Sequence, residues 1–340
     1  MLLPALTHGT GAGRMNLAPA ECPPHAIAWS NGFRELGNRR YNLESTVAEV
    51  IFRLLLLLVS ATSHCLSMII KAYSKGLYSN WYFYAPDRVM FDCGEGAALY
   101  LRAGIFAIEK IFLSHGHIDH ITGLPLLISL RQSTKGDNAK PLSIYYPRRD
   151  RSIALIRETV DRMMGSHVKY PLEWMPIDAG DRVELRKGRI CEAIEVVHPC
   201  DQPLGYRITE SRKRLKEVHA GKPGPEIAAM QDDEKFDYYD AKRFCYSGDT
   251  MPIDPREFED ADILIHDATF LKADDREGPT HCTLQEVFDL AHEARVKRLI
   301  LAHISPRYEP CHVVGPLIEK AESHGLNYEW IPYHQVTEFA

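Results

Sequence analysis

The sequence predicts a mixed α/β fold in which several strands bring functional side chains to a common edge. Two observations support this prediction. From Met68 onwards, short apolar strands alternate with helical stretches, the strand, helix, strand order of packed α/β layers. Histidine or aspartate stands at the carboxyl end of four of the predicted strands. Because such ends can gather where loops converge over a rigid sheet, we expect these side chains to lie close together.

Composition limits the class of protein. The chain has 340 residues, 45% of them hydrophobic and 25% charged, which is typical of a globular protein with a substantial core. The net charge of -6 argues against a generally polyanion-binding surface, so any nucleic-acid contact needs a local basic patch. The eight cysteines include no CxxC pair, which favours reduced thiols and a cytoplasmic location.

The first 67 residues differ from the rest because they contain no lysine and no aspartate. We predict a poorly ordered N-terminal extension over residues 1–67 and the functional domain over residues 68–340. We also hypothesise that translation from an upstream start codon has added the extension before Met68. The apolar run Leu54–Val59 is too short for the roughly 20 residues that cross a bilayer, so no membrane association is expected.

The individual elements follow from apolar runs and helix signals. We predict a first strand that starts at Met68, and a helix from Gly123 to Leu130 that tolerates Pro125 in its first turn. A second helix is predicted from Leu284 to Arg295. Four further strands are predicted over Lys110–Leu113, Ile190–Val197, Arg243–Tyr246 and Lys297–Leu301.

The segment from Ser114 to His120 holds three histidines and an aspartate within six positions, directly after an apolar strand. Neighbouring imidazoles repel when protonated and leave nitrogens unpaired when buried, whereas histidine and aspartate are ligands that zinc and similar ions prefer. The later strands end at His198, Asp249 and, just beyond the last strand, His303. This pattern predicts a metal-dependent hydrolase.

With these residues the chain resembles the metallo-β-lactamase superfamily, whose HxHxDH signature stands here as His115, His117, Asp119 and His120. The resemblance implies a four-layer αββα sandwich with two zinc ions at one edge. It implies one ion held by His115, His117 and His198, a second held by Asp119, His120 and His303, and Asp249 bridging both. Manganese or iron also suits such ligands. Aspartate rather than a thiolate at position 249 disfavours β-lactam hydrolysis.

Within that superfamily the chain is similar to ribonuclease Z, which removes 3′ trailers from tRNA precursors. Four segments carry this similarity, and they are Phe91–Gly96, His198 with Gly205–Arg207, His266–Phe270 with His281–Thr283, and His303–Tyr308. The resemblance implies phosphodiester cleavage by a metal-bridging hydroxide, and related enzymes form homodimers. The chain departs from the family pattern at Asp267, Cys282 and Ile304, where glutamate, serine and phenylalanine are usual, and its tRNA-gripping arm between Tyr206 and Arg243 is short.

Three residues are candidates for the chemistry itself. Asp119 could orient the attacking hydroxide while binding metal. His281, oriented by Asp267, could donate a proton to the leaving oxygen. Because aspartate is one methylene shorter than glutamate, we expect this pair to be longer or water-mediated. The alternative is that Asp267 merely ends a strand and His281 caps the following helix.

Substrate contacts are predicted on two segments. The segment from Arg207 to Lys222 contains six basic and two acidic residues, so its net charge is +4. Arg212, Lys213 and Arg214 would contact RNA phosphates there, or form a solvated face. Arg307 and Tyr308 would contact a phosphate or base near the metals, or support their own loop. The rival function is hydrolysis of a small phosphodiester, sulfate ester, thioester or lactone.

Overall fold

In the computed structural model, which describes residues 70–133 and 140–340, the strands form two mixed sheets of seven. The predicted extension over residues 1–67, its boundary at Met68 and the apolar run Leu54–Val59 lie outside the described residues. The predicted domain limits therefore stay predictions. Within the described ranges, no helix is long and apolar enough to span a membrane.

The first sheet has the strand order β14, β1, β2, β3, β4, β5, β6. Its strands are β1 (Ile70–Lys75), β2 (Ser79–Tyr84), β3 (Val89–Phe91), β4 (Lys110–Phe112), β5 (Leu142–Pro147), β6 (Leu172–Ile177) and β14 (Thr337–Phe339). The C-terminal strand β14 returns to pair antiparallel with β1, Phe339 opposite Ile70. Strands β3 to β6 are parallel to one another, so β4 and its neighbours end at one edge.

The second sheet has the strand order β13, β12, β11, β10, β9, β8, β7. Its strands are β7 (Arg182–Arg186), β8 (Arg189–Glu195), β9 (Leu204–Leu215), β10 (Phe236–Tyr246), β11 (Leu264–Asp267), β12 (Leu299–Ala302) and β13 (Tyr328–Trp330). Strands β11 and β12 are buried at every position; β12 is entirely apolar, and β11 ends with the buried polar residues His266 and Asp267. Strands β10, β11 and β12 are parallel, and β8 has the same direction because β9 is antiparallel to both β8 and β10.

Most of the helices in the described residues cover the outer faces of the two sheets. The helices are α1 (Ala97–Leu101), α2 (Ile118–Ile121), α3 (Leu124–Arg131), α4 (Arg151–Met164), α5 (Gly224–Ala229), α6 (Asp232–Lys235), α7 (Leu284–Glu293) and α8 (Pro310–His324). Thr283 and Glu286 form a capping box at the start of α7. Helix α8 is followed by Gly325, whose φ of 64° is the left-handed conformation typical of a residue that caps a helix C-terminus.

Three apolar cores separate four layers. The inner core lies between the sheets and contains side chains of both, such as Phe91, Phe112, Tyr206 and Phe244. A second core packs the first sheet against α1, α3 and α4, and a third packs the second sheet against α7 and α8. This layering confirms the predicted α/β class and its αββα arrangement.

The predicted elements near the site are confirmed with small shifts in their bounds. The helix predicted from Gly123 is α3, and the helix predicted from Leu284 is α7, which ends two residues early at Glu293. The strand predicted over Arg243–Tyr246 is much longer in the structure, because β10 starts at Phe236 and pairs with β9 along its full length.

Candidate metal centre

A tight loop between β4 and α2 positions the histidine cluster. Asp150, which caps the first turn of α4, accepts a hydrogen bond from the backbone N–H of Gly116 at 2.7 Å. A Cβ atom at Gly116 would lie 2.1 Å from Asp150 Oδ1, so only glycine allows this approach. His117 then adopts an extended conformation before α2, which carries Asp119 and His120 on its single turn.

The seven side chains predicted as ligands meet at the edge of the sandwich. Within each of three groups of side chains, the potential ligand atoms lie within 4.8 Å of one another. The groups are His115, His117, His198 and Asp249; Asp119, His120 and His303; and Asp249, His281 and His303. Asp249 Oδ2 lies 3.2 Å from His303 Nε2, 3.3 Å from His120 Nε2 and 3.7 Å from His115 Nε2. The carboxylate of Asp249 is thus central to the cluster.

Four of the histidines share one arrangement of their ring nitrogens, in which Nδ1 donates a hydrogen bond outwards and Nε2 faces the cluster. The pairs are His115 with Ser114 Oγ at 2.9 Å, His120 with Asp92 at 2.8 Å, His198 with the Thr280 carbonyl at 2.9 Å and His303 with Thr269 Oγ1 at 2.8 Å. In the neutral form of each ring, Nε2 therefore has a lone pair directed inwards, as a metal ligand requires.

One buried nitrogen without a hydrogen-bond partner indicates whether these residues are suited to bind a metal. His115 Nε2 is buried and has no hydrogen-bond partner among the described residues. A buried nitrogen without a partner costs about 1–3 kcal/mol, unless another group uses its lone pair. His198 Nε2 also lies 3.3 Å from His117 Nδ1, so two ring nitrogens approach each other. A divalent cation shared by these lone pairs accounts for both features, and the residues fit a metal.

Protonation supports the same conclusion. Burial, reinforced by the neighbouring His120, holds the pKa of His115 well below its ordinary value, so the ring is neutral and able to bind a cation. Burial alone would raise the pKa of Asp119, but the His120 and His303 rings lower it. The pKa of Asp249 is lowered by the same two rings against the effect of burial. His120 differs, because Asp249, Asp92 and Asp119 outweigh burial and raise its pKa well above the ordinary value. This ring has to release its Nε2 proton when a metal binds, since neutral imidazoles and ionised carboxylates are the forms that coordinate metals.

Several supporting residues were not assigned a role from the sequence. Asp92 is buried, and it accepts hydrogen bonds from the Ser114 backbone N–H, the Ser114 hydroxyl, His120 Nδ1 and the Tyr246 hydroxyl. Its φ is 53°, a left-handed conformation that aspartate tolerates better than most residues. The similarity of Phe91–Gly96 to the family turn marked this segment, although it did not identify the partner of His120.

A second supporting chain starts on β2. Asn80 is fully buried and donates from Nδ2 to Asp119 Oδ2 at 2.9 Å. The Ser74 hydroxyl donates to Asn80 Oδ1 at 2.8 Å and accepts from the Tyr82 hydroxyl at 3.0 Å. Ser74 Oγ also accepts from the His303 backbone N–H at 2.7 Å. These hydrogen bonds fix Asp119 and His303 relative to each other.

His281 and Asp267 form a direct pair, with His281 Nδ1 and Asp267 Oδ2 at 2.8 Å. The expectation of a longer or water-mediated pair was wrong. The loop that carries His281 is drawn close to β11, because the Phe270 N–H donates to the Cys282 carbonyl and the Leu284 N–H donates to the Phe270 carbonyl. The short aspartate therefore reaches its partner.

The pair also lies at the metal centre. His281 Nδ1 is 4.0 Å from Asp249 Oδ2, and its ring stacks on His303 with centroids 5.0 Å apart. Burial lowers the pKa of His281, but the Asp267 carboxylate more than reverses this effect and raises the pKa to about 9. His281 does not cap α7, since Thr283 fills that position.

Arg307 and Tyr308 are engaged in their own loop. The Tyr308 hydroxyl donates to Asp275 at 2.6 Å and accepts from the Leu271 backbone N–H at 3.2 Å. The Arg307 guanidinium donates to the Asp275 carbonyl and lies 5.2 Å from the Phe270 ring centroid. These contacts agree with the alternative that both residues support the loop, and a substrate contact stays a prediction.

The segment between Tyr206 and Arg243 is an ordered two-stranded extension, which we call the arm and define as residues 211–240. Strand β8 pairs with β9 only as far as Glu210, whereas β10 pairs with β9 to its end at Leu215. Most side chains on the distal halves of both arm strands are exposed. Helices α5 and α6 connect the two strands.

The charges of the arm are balanced. It contains six basic and seven acidic residues, so the excess predicted up to Lys222 is offset further along the chain. Arg212 pairs with Glu210 at 2.7 Å, and Lys213 pairs with Asp232 at 3.1 Å. Arg214 instead lies 5.9 Å from the ring of Tyr239. Any phosphate contact by the arm must therefore be local.

The fold and the site together define a metal-dependent hydrolase built on an αββα sandwich. Residues 87–221 and 236–304 match the family model described as the beta-lactamase superfamily domain. Ribonuclease Z from Bacillus licheniformis is 34% identical over 263 residues, which cover 69% of this chain and 83% of that protein. Residues 222–235, at the tip of the arm, lie outside the family match.

Two solved structures share the fold at lower sequence identity. The short form of human tRNase Z is 21% identical, with a TM-score of 0.53, 79% of this chain covered and 98% of that one. The metallo-beta-lactamase fold protein YhfI from Bacillus subtilis is 18% identical, with a TM-score of 0.55, 80% of this chain covered and 100% of that one. The chain belongs to the ribonuclease Z family of the beta-lactamase superfamily, which confirms the predicted enzyme class, a metal-dependent hydrolase of the endoribonuclease type.

Proposed function

We propose that this enzyme cleaves a phosphodiester bond at the 3′ side of tRNA precursors with two zinc ions as cofactors. The observation that supports this proposal most directly is the His281–Asp267 hydrogen bond beside a cluster of seven side chains of the types that bind metals. Hydrolysis of an ordinary RNA phosphodiester releases a strongly basic alkoxide, so a proton donor next to the metals is needed there. The ribonuclease Z relatives supply the substrate class for this proposal.

The ligand assignment follows two of the three groups of donor atoms, because His281 of the third group is paired with Asp267. His115, His117 and His198 would hold one ion, while Asp119, His120 and His303 would hold the other, and the central carboxylate of Asp249 would contact both. When bound, two such ions supply a water molecule of lowered pKa as nucleophile and stabilise charge on the phosphoryl oxygens.

The remaining steps belong to the side chains of this chain. Asp119 is held by Asn80 Nδ2 and the Leu77 backbone N–H on one carboxylate oxygen, which fixes its orientation towards the cluster. Asp267 accepts two hydrogen bonds from Thr269 and one from the Thr250 N–H besides that of His281, so its position is rigid. The His281 ring can therefore present its Nε2 proton to the leaving oxygen without reorganisation.

The ordered arm supports a macromolecular substrate, because a two-stranded extension beyond the sheet has no role in the cores described above. Its charge balance favours the rival function, hydrolysis of a small phosphodiester or related ester, since six basic residues are offset by seven acidic ones. The two functions differ in what they require of the arm and of His281.

The decisive experiment compares a 3′-extended tRNA with bis-p-nitrophenyl phosphate. We expect zinc-loaded enzyme to cut the tRNA once near its 3′ side and to hydrolyse the small ester more slowly. Asp249→Ala, which removes the central carboxylate, should abolish both activities, whereas the matched variant Asp240→Ala on the exposed arm should retain hydrolysis of the small ester. Turnover of the small ester with no cleavage of the tRNA would overturn the ribonuclease proposal.

A further inference from the structure

A cleft of about 250 Å³ opens between the β1–β2 turn and the start of α1. Its walls carry three tyrosine rings beside one leucine and two further polar side chains, and the residues are Tyr73, Tyr78, Ser79, Glu95, Leu99 and Tyr100. The volume lies below the ~300–1,000 Å³ of typical drug-sized ligand pockets, so the cleft has room for one planar ring rather than a folded segment.

The cleft adjoins the metal centre through two backbone contacts. The Leu77 N–H, next to Tyr78 in the β1–β2 turn, donates to Asp119 Oδ2 at 3.1 Å. On the other wall, a Cβ atom at Gly94 would lie 2.3 Å from the Asp119 carbonyl oxygen, so the backbone before Glu95 packs directly on the α2 turn. Both walls of the cleft thus continue, one residue further along the chain, into segments that contact Asp119, so the cleft is placed to receive a nucleotide that neighbours one bound at the metals.

The aromatic side chains are already arranged for stacking. The rings of Tyr73 and Tyr100 are nearly parallel, with an interplanar angle of 8° and centroids 5.8 Å apart. Tyr73 stacks in turn on the buried ring of Trp81, with centroids 6.4 Å apart. Tyr100 and Tyr78 are nevertheless 51% and 58% exposed. A rigid stack that ends in an exposed ring binds a planar partner at little cost in side-chain entropy.

Two charged side chains at the cleft indicate which kind of ligand it can bind. Lys75 Nζ lies 3.9 Å from the centroid of the Tyr78 ring and places a positive charge at the rim, where it can meet a phosphate. Glu95 adds an exposed carboxylate, which accepts a hydrogen bond from an amino group. A nucleobase with an exocyclic amino group, attached to a phosphate, combines the planar ring, the donor and the negative charge.

We propose that this cleft binds the base of a nucleotide that flanks the scissile phosphodiester, with preference for a base that carries an amino group. The proposal rests on the proposed ribonuclease function and adds a base-binding subsite to it. Stacking on Tyr100 and Tyr78 supplies affinity, and the Glu95 carboxylate supplies the preference.

The test combines changes in the protein with changes in the RNA. Three forms of a 3′-extended tRNA are compared, one unmodified and two with a single abasic nucleotide immediately upstream or downstream of the cut. The proteins are wild type, Tyr100→Ala, Tyr78→Ala on the opposite wall, and Leu155→Ala, which removes an exposed apolar side chain on α4. Leu155 is 64% exposed, so it is a matched control for surface truncation.

We expect one of the two abasic substrates to lose at least about fivefold in kcat/KM with wild type, the lower end of base stacking on an aromatic ring. Tyr100→Ala and Tyr78→Ala should lose a similar factor on unmodified RNA but little on that abasic RNA. Leu155→Ala should behave as wild type. Glu95→Gln should reduce the preference for cytosine over uracil at the sensitive position.

Three results would overturn the assignment. Equal losses by the tyrosine variants on all three RNAs would show that the cleft does not recognise a base. The same equal losses with a halved molar mass in light scattering would assign the cleft to contacts between two copies of the chain. Failure of wild type to cut any RNA, with hydrolysis of bis-p-nitrophenyl phosphate intact, would instead remove the ribonuclease proposal on which the subsite depends.

Discussion

At the scale of single residues, four of the five metal-facing histidines each depend on one hydrogen bond on the outer side of the ring. The acceptors differ in kind, since Asp92 is a carboxylate, Ser114 and Thr269 are hydroxyls and Thr280 provides a carbonyl. All four have the same effect, because a proton fixed on Nδ1 leaves Nε2 unprotonated. Outer partners of this kind contribute measurably to metal affinity.

The first prediction concerns Asn80, the outer partner of Asp119. Replacement of Asn80 by alanine removes the 2.9 Å hydrogen bond to Asp119 Oδ2 and leaves the Ser74 hydroxyl without its acceptor. We expect zinc affinity to fall roughly 10- to 100-fold, as for other outer-sphere substitutions. Competition with a chelator, followed by the metal content at equilibrium, measures the change. Asn327→Ala, at an exposed position, is the matched control, and equal affinities of the two variants would contradict the prediction.

The second prediction concerns His281 as the proton donor. His281→Ala should lower kcat on 3′-extended tRNA by about 10²- to 10⁴-fold, the usual contribution of general acid catalysis. It should lower hydrolysis of bis-p-nitrophenyl phosphate far less, because p-nitrophenolate leaves without a proton. Asp267→Asn should show the same split, since it weakens the 2.8 Å pair.

The control for this prediction is His292→Ala, an exposed histidine on α7, with the zinc content measured for every variant. A parallel loss on both substrates with full zinc content would mean that His281 serves the site in another way. A loss of zinc in His281→Ala alone would assign the ring to metal binding.

At the scale of elements, the sequence predicted what lies at the ends of strands better than what lies inside them. Strands β4, β8, β10 and β12 each lead into a predicted ligand. These ligands could be predicted because an apolar run that is followed by a histidine or an aspartate is visible in the local sequence. Ser74 lies within β1 and Asn80 within β2, where no local pattern marks a single polar residue as functional. The role of Asn80 depends on Asp119, which is 39 residues away in the sequence and is brought near only by the fold.

The strands of the arm likewise could not be predicted from local sequence patterns. They could not be foreseen from the short segment Arg243–Tyr246, because the distal half of β10 is mostly exposed and contains Asp237 and Asp240, a residue type that is rare in strands. That half is a strand because it pairs with β9, with Phe236 opposite Leu215. Long-range pairing of this kind overrides the weak local preference.

The third prediction concerns which basic residue of the arm contacts an RNA phosphate. Arg214→Ala should weaken tRNA binding and reduce the slope of log affinity against log salt by about one, the signature of a lost phosphate contact. Lys213→Ala should change both much less, because Asp232 already neutralises Lys213 at 3.1 Å. Arg162→Ala on α4 serves as an exposed control away from the arm. Binding isotherms at several salt concentrations give the slopes, and equal effects of Arg214→Ala and Arg162→Ala would exclude the arm contact.

At the scale of the whole molecule, the metal centre joins the two sheets. His115, His117, Asp119 and His120 follow β4 of the first sheet, whereas His198, Asp249 and His303 follow strands of the second. The apolar core between the sheets holds them together along their length. At the edge, where the ligands meet, buried polar groups replace that core, and their hydrogen bonds alone leave His115 Nε2 unsatisfied within the described residues.

The last prediction follows from this position of the site between the sheets. A ligand that binds only the folded state stabilises it by mass action, about 2.7 kcal/mol at a free concentration of 100 times the dissociation constant. Zinc should therefore raise the unfolding temperature of wild type in scanning calorimetry, and a chelator should reverse the rise. Asp249→Ala removes the carboxylate that lies within 3.7 Å of His115, His120 and His303, so its zinc-dependent rise should be much smaller. Asp240→Ala on the arm should keep the full rise. An equal zinc-dependent rise in Asp249→Ala and wild type would mean that the ions do not link the two sheets through this carboxylate, and the assignment of Asp249 as the shared ligand would have to be abandoned.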